Sequence, residues 1–317
     1  MSRFTLQKQD VAPRKPALLV YGEPGIGKTT FGAAAPNVVF VCAEDGAAGL
    51  DVVRLPNVGK CETWDEVIKS IDVITTEPHD FEWVVVDTLS AAEQLCADMV
   101  CERDFNGRWN PVKSGGPAFN AYGAGDKTVG QEMKALIAKL DALRQRRDMG
   151  VILLAHVDMR RQANALGDDY QKFCGAMNKY SWEQIRGWAD QVAYAGREVK
   201  ASHREGERRA KAYAVGTERW LIFEGGPGRD AKARAGYDMP ERILLDWDEY
   251  EAAGVGDRDA ALTEQALSLL GEADEDTRGV VAMRLDGGKI SKDAVKAMGR
   301  RRLEALNNWL LSRRKAD

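Results

Sequence analysis

The chain has 317 residues, 44% of them hydrophobic, enough for one large α/β core with appendages or two modest domains; its net charge of −4 excludes a protein held to nucleic acid by global basicity. No run approaches the roughly 18 apolar residues of a membrane span, and the first ten residues hold no apolar secretory core, so a soluble, cytoplasmic protein with no membrane partner is expected. Five scattered cysteines without a C-x-x-C pair point to neither a disulfide framework nor a zinc site and read as reduced, mostly buried thiols.

In chain order, the apolar run Ala17-Leu-Leu-Val-Tyr21 enters Gly22-Glu-Pro-Gly-Ile-Gly-Lys-Thr29, and the residues from Lys28 to Ala35 continue as a helix. Strand, glycine loop and helix in that order are the setting a phosphate-binding loop requires. The runs from Val38 to Cys42, Trp83 to Asp87 and Val151 to Ala155 are apolar throughout rather than alternating, as expected of strands covered on both faces of a parallel sheet. Helical patterns fill the intervals from Thr63 to Thr75, opening on the capping box Thr63-Trp-Asp-Glu66, from Ser90 to Glu102, and from Thr128 to Arg147. The alternation predicts a doubly wound α/β core.

Beyond about residue 190 the texture changes. The stretches from Gln191 to Val199, Ala210 to Val215 and Trp220 to Phe223 read as an antiparallel meander appended to the sheet, and from Ala260 onward the chain reads as helices broken at Asp286-Gly-Gly288. The expected division is an amino-terminal arm (1–14), a core (15–250) and a helical extension (257–317). Acids dominate from Asp238 to Asp276 and bases from Arg284 to Lys315. The glycine-rich stretch from Asn106 to Gly125 and the polar one from Asp158 to Ser181 are long for connections in a compact domain, and are expected to be functional loops.

In a phosphate-binding loop, glycines let backbone N–H groups converge on phosphates, the lysine reaches the β- and γ-phosphates, and the hydroxyl residue holds Mg²⁺. The candidates for ATP are Gly22, Glu23, Pro24, Gly25, Ile26, Gly27, Lys28, Thr29 and Thr30, with Thr29 also a Mg²⁺ ligand. Asp87 closes an apolar strand at the edge where the loop opens and is the second magnesium candidate, its plainer reading being a helix cap. Thr88, not a glutamate, follows it, so the catalytic base is sought elsewhere. Glu44, just past the run from Val38 to Cys42, projects at the same edge; Asp45 is the alternative, and a turn cap the plain reading.

A strand leading into Glu44 just after the phosphate-loop helix, followed by a strand ending in Asp87 without its glutamate, resembles the RecA recombinase family. The apolar strand running into Ala155-His156, with Trp188-Ala-Asp190-Gln-Val-Ala-Tyr194 and Lys232-Ala-Arg234-Ala-Gly-Tyr-Asp-Met-Pro240, resembles a phage-encoded branch of RecA-like ATPases, the phage nucleotide-binding or single-strand annealing proteins. The resemblance covers roughly residues 15 to 245. It implies a RecA-like doubly wound, mostly parallel sheet. Glu44 would polarise the attacking water, and His156 would sense the γ-phosphate where RecA has an amide; a histidine hydrogen-bonded in the core is its plain reading. Lys232 and Arg234 would cross a subunit interface to the neighbour's γ-phosphate, their alternative being solvated charges.

RecA-like proteins bind single-stranded DNA through two loops that fall at the two long stretches. The first carries Arg103, Arg108, Trp109, Lys113, Phe119 and Tyr122; the second carries Arg160, Arg161, Lys172 and Lys179 with Tyr170 and Phe173. Cations beside aromatics suit backbone tracking and base stacking, and Arg108, Trp109, Lys113, Arg160, Arg161 and Lys172 are the candidate DNA contacts. Lys289, Lys292, Lys296, Arg300, Arg301 and Arg302 would add a phosphate-contacting surface, against the plain alternative of an amphipathic helix through Leu303, Leu306 and Leu310.

The implied activity is an ATP- and Mg²⁺-dependent recombination or annealing protein, a DNA-stimulated ATPase that assembles on single-stranded DNA as a homo-oligomeric ring or filament. A single-strand DNA-binding protein is a further partner, and the host cytoplasm the location if phage encoded. A helicase or motor ATPase on the same core, and a nucleotide-gated protein scaffold with little turnover, are the alternatives.

Overall fold

Apolar runs without alternation become strands with no exposed face. In a computed structural model, β1 (Ala17–Gly22), β2 (Val38–Cys42) and β4 (Trp83–Asp87) are buried at every residue. The structure describes residues 14–112, 115–164, 167–197, 200–202, 213–215, 218–283, 290–291, 295 and 300–314. The other strands of the main sheet are β3 (Val53–Leu55), β5 (Gly150–Gln162), β6 (Tyr170–Gly175), β7 (Gln191–Arg197), β10 (Arg219–Ile222), β11 (Lys232–Ala233) and β12 (Arg242–Leu244). Strands β8 (Lys200–Ser202) and β9 (Tyr213–Val215) form a separate antiparallel pair. The main sheet runs β12-β10-β7-β1-β5-β4-β2-β3, with β6 paired to β5 and β11 to β7. Strands β7, β1, β5, β4, β2 and β3 are mutually parallel; β6, β10 and β11 run antiparallel to them, and β12 pairs antiparallel with β10.

The pleat sorts side chains to two layers. Leu19, Val41, Val86 and Leu153 face a core shared with α2 (Trp64–Thr76), α3 (Leu89–Phe105), α4 (Ala124–Arg147) and α5 (Lys179–Trp188). On the other face lies α1 (Lys28–Ala33), whose Gly32 sits close on Val85 and Phe40 while Phe31 meets Trp247 at 5.5 Å. This is the doubly wound, mostly parallel sheet with antiparallel strands appended that the sequence predicts. Thr63 caps α2 through the amide of Glu66, as the capping box requires.

Three elements differ from expectation. Strand β5 does not stop at Ala155: it continues to Gln162 and pairs with β6 in the register Met159↔Phe173 and Arg161↔Gln171, so much of the polar stretch after Asp158 is a hairpin leading into α5. Past His156 its apolar residues are Val157 and Met159 alone, set among Asp158, Arg160, Arg161 and Gln162, and so short an alternation does not stand out as a strand. Strand β7 pairs in parallel with β1 and belongs to the parallel core; the antiparallel part begins at β10. The three-residue edge strand β3, half exposed and centred on Arg54, offers no apolar run to read. Of the strand expected from Ala210 to Val215, residues 210–212 lie outside the described residues.

Residues up to Trp247 and from Asp248 onward form two compact units. In the second, α6 (Gly256–Glu272), α7 (Glu275–Ala282) and α8 (Arg300–Arg314) bury Ala266, Leu269, Leu270 and Val281 with Leu303, Leu306 and Leu310, the helical spacing read from the sequence. Asp286-Gly-Gly288, Lys289, Lys292 and Lys296 lie outside the described residues, as do the side chains of Arg300, Arg301 and Arg302. All five cysteines are free and buried. Among the described residues no helix is long and apolar enough to cross a membrane.

Candidate active site

The parallel strands end together at one edge, where β1 delivers Gly22 into the glycine loop. Gly22 has no room for a side chain, since a Cβ would stand 2.2 Å from the Ala195 carbonyl of β7. Gly25 and Gly27 take φ of +75° and +112°, which other residues rarely adopt. Lys28 is 5% exposed, and its Nζ donates to the carbonyls of Gly22 (2.9 Å) and Glu23 (3.0 Å). Burial lowers its pKa, while Asp87 and Glu44 pull it back up. Thr29 and Thr30 follow in the first turn of α1.

Asp87, at the end of β4, is 0% exposed, and neither carboxylate oxygen makes a hydrogen bond of good geometry. Burial pushes its pKa up to about 6; the Thr29 hydroxyl draws it down, Glu44 raises it, and Lys28 and His156 lower it. A Cβ on Gly46 would lie 2.9 Å from Asp87 Oδ2 and 3.3 Å from Thr29 Oγ1, so the room beside these two oxygens depends on that glycine. A buried carboxylate with no well-formed hydrogen bond among the described residues, next to a hydroxyl and in a space that a methyl group would fill, fits a hard cation such as Mg²⁺, which takes few protein ligands and keeps waters and substrate phosphates for the rest. Thr29 and Asp87 would hold it.

The turn after β2 is tied to the same place, because the amides of Ala43 and Glu44 both donate to the Asp87 carbonyl (2.8 and 3.1 Å). Glu44 makes no capping bond to the short turn it precedes; its Oε2 instead lies 3.2 Å from Nε2 of His156 on β5. The His156 amide donates to the Ser90 hydroxyl of α3 (3.1 Å), and its carbonyl accepts from Ala176 just past β6 (2.7 Å). Lys28, Thr29, Glu44, Asp87 and His156 therefore converge at one sheet edge. A buried cation, two anions and an imidazole there match the demands of phosphate binding and proton transfer.

The remaining candidates lie elsewhere. Lys232 and Arg234 belong to the amino edge of the sheet, where Lys232 is paired in register with Val192 of β7. Lys232 Nζ donates to the Gly187 carbonyl (3.2 Å); Arg234 is 3.5 Å from Asp190 and also donates to Gly187. In the first loop Arg108 is exposed, Trp109 packs on Phe119 at 4.6 Å as part of the core, and Lys113 lies outside the described residues. On the hairpin, Arg160 turns back to the carbonyls of Gly175 (3.2 Å) and Met177, and Lys172 is held 2.6 Å from buried Asp230. The Arg161 side chain is 80% exposed, with Asp169 2.9 Å away, and Met159 and Phe173 beside it are 53% and 37% exposed. Asp230, which also takes Trp182 and Arg186, and Arg219, which reaches the phosphate loop, have no sequence signal: each is a lone charge whose partners are distant in the chain.

Residues 14–235 match a family described as an AAA domain (AAA_24). No curated protein matches the chain. Among solved structures, the crystal structure of the RadB recombinase is similar over 66% of this chain and 81% of that one, at 12% identity and a TM-score of 0.35.

Proposed function

The chain belongs to the AAA domain family, and from that premise we propose that it is an ATPase that binds single-stranded DNA and acts in recombination or annealing, assembling with copies of itself when ATP is bound. The observation that carries the reading is the 3.2 Å contact between Glu44 and His156 beside Lys28, Thr29 and Asp87. Glu44 takes a proton from the water that attacks the γ-phosphate, and His156 holds the glutamate where a γ-phosphate would reach both. Lys28 and the loop amides bind the phosphates. The metal, when bound by Thr29 and Asp87, neutralises charge on them.

What favours DNA over a scaffold without turnover is the course of β5, which passes without a break from His156 to the hairpin bearing Arg161, Met159 and Phe173. An exposed cation beside exposed apolar side chains suits a single strand, whose backbone is anionic and whose bases stack. The runs Ala155-His156 and Lys232-Ala-Arg234 favour the phage-type annealing branch.

The test is ATP turnover by the purified protein with and without single-stranded DNA. DNA should stimulate it, and Glu44→Gln should slow it by about 10²-fold or more while ATP still binds. Turnover abolished by Asp45→Asn and kept in Glu44→Gln would move the base by one residue; ATP binding without any turnover would support the scaffold instead.

A further inference from the structure

Arg219 opens β10 on the antiparallel side of the sheet, and nothing in the glycine-loop motif calls for it. Its Nη1 donates to the carbonyl of Ile26 at 3.2 Å, across 193 residues of sequence. The same nitrogen is 2.7 Å from where a Cβ on Gly27 would stand, with Leu245 at 3.5 Å. Leu245 is fixed to Arg219 in turn, its amide donating to the Arg219 carbonyl at 2.7 Å. The edge of the antiparallel strands thus rests on the phosphate loop at Ile26 and Gly27. Gly27 is needed there for its φ of +112°, and the guanidinium lies in the space beside it.

A trans peptide is planar, so its carbonyl and its N–H point in opposite directions. With the Ile26 oxygen held toward Arg219, the Gly27 N–H is aimed away from it, as a loop whose amides must converge on phosphate requires. A charged donor on the carbonyl also polarises the amide and makes its N–H a better donor. Resting on the nucleotide-site reading above, we propose that Arg219 is a positioning residue of the phosphate loop: through the Ile26–Gly27 peptide it orients and strengthens the Gly27 N–H that grips the phosphates of ATP and ADP. The grip is the same before and during hydrolysis, so its loss falls on KM rather than on kcat.

The experiment measures binding of a fluorescent ATP analogue and of ADP, with steady-state turnover, in the full chain carrying Arg219→Ala, Arg219→Lys or Lys28→Ala. Arg219→Ala should weaken both nucleotides by about tenfold and raise KM in step, with a much smaller change in kcat. Arg219→Lys, which keeps a charged donor, should recover part of the affinity. Arg219 is exposed, so melting without nucleotide should stay within about 2 °C of the parent. Unchanged affinity and KM in Arg219→Ala, or a fall in kcat at constant KM, overturns the proposal. So does a nucleotide-free melting point that drops along with affinity in both Arg219 variants. If Arg219→Ala does not fold, Arg219→Lys decides on the same readings. A parent that binds nucleotide, a Lys28→Ala variant that does not, and an Arg219→Ala variant that binds like the parent would overturn this inference alone; a parent that binds no nucleotide removes the site reading with it.

Discussion

Asp87 holds a fully buried carboxylate that makes no well-formed hydrogen bond among the described residues, and this sets stability against function at one residue. Its pKa rises from 3.8 to about 6, chiefly through burial. Between those values the folded chain keeps a proton that the unfolded chain has lost. The contribution of Asp87 to stability is therefore full below about pH 4 and is lost as pH rises through about 6, by on the order of 2–3 kcal/mol. Without Mg²⁺ and nucleotide, Asp87→Asn should melt above the parent at pH 8, and the gap should shrink toward pH 5; a lower melting point at pH 8 would contradict the burial argument. The same variant should lose Mg²⁺-dependent turnover. At this scale the sequence was legible wherever a residue sits next to a pattern: Lys28 within its motif, Asp87 and Glu44 at or just past the ends of apolar strands. Arg219 was not legible, because its role comes from a contact across the sheet.

The β5–β6 hairpin couples two parts of the proposed mechanism in one element. Its first half is central sheet, whose apolar run the sequence shows; its second half leaves the sheet, and there the alternation is reduced to Val157 and Met159 before Arg160 and Arg161 end it. The fold places the adjacent arginines differently. Arg160 closes the hairpin base through the Gly175 and Met177 carbonyls, whereas Arg161 is exposed and among the described residues pairs with Asp169, a surface contact that contributes little. Arg161→Ala should weaken single-stranded DNA binding and make the slope of log affinity against log salt shallower by about one phosphate contact, with melting unchanged. Arg160→Ala should lower the melting point instead. Salt titrations and thermal melts of both variants check this; a salt slope unaltered in Arg161→Ala would take the hairpin out of the DNA site.

For the whole molecule, a net charge of −4 means that the proposed binding to DNA would rest on local cations in defined places. The phosphate loop opens at the carboxyl edge of the sheet, while Lys232 and Arg234 sit at the amino edge. The six residues of β1 separate these edges by roughly 17 Å at about 3.3 Å per residue, further than a lysine side chain reaches. If these cations serve hydrolysis, they serve another subunit's nucleotide. Lys232→Ala and Glu44→Gln should then each be nearly inactive alone, yet recover turnover when mixed, because a Lys232→Ala subunit keeps its own Glu44 and can receive Lys232 from a Glu44→Gln neighbour. Burial, with Arg234 and Arg186 nearby, lowers the Lys232 pKa to about 8, so its charge is lost as pH rises through that value. Turnover by the parent should accordingly decline above about pH 8, and Lys232→Arg, whose guanidinium stays protonated, should flatten that decline. Mixed subunits no more active than either variant alone, together with a pH profile that Lys232→Arg leaves unchanged, would return Lys232 to the role of a solvated charge that donates to Gly187.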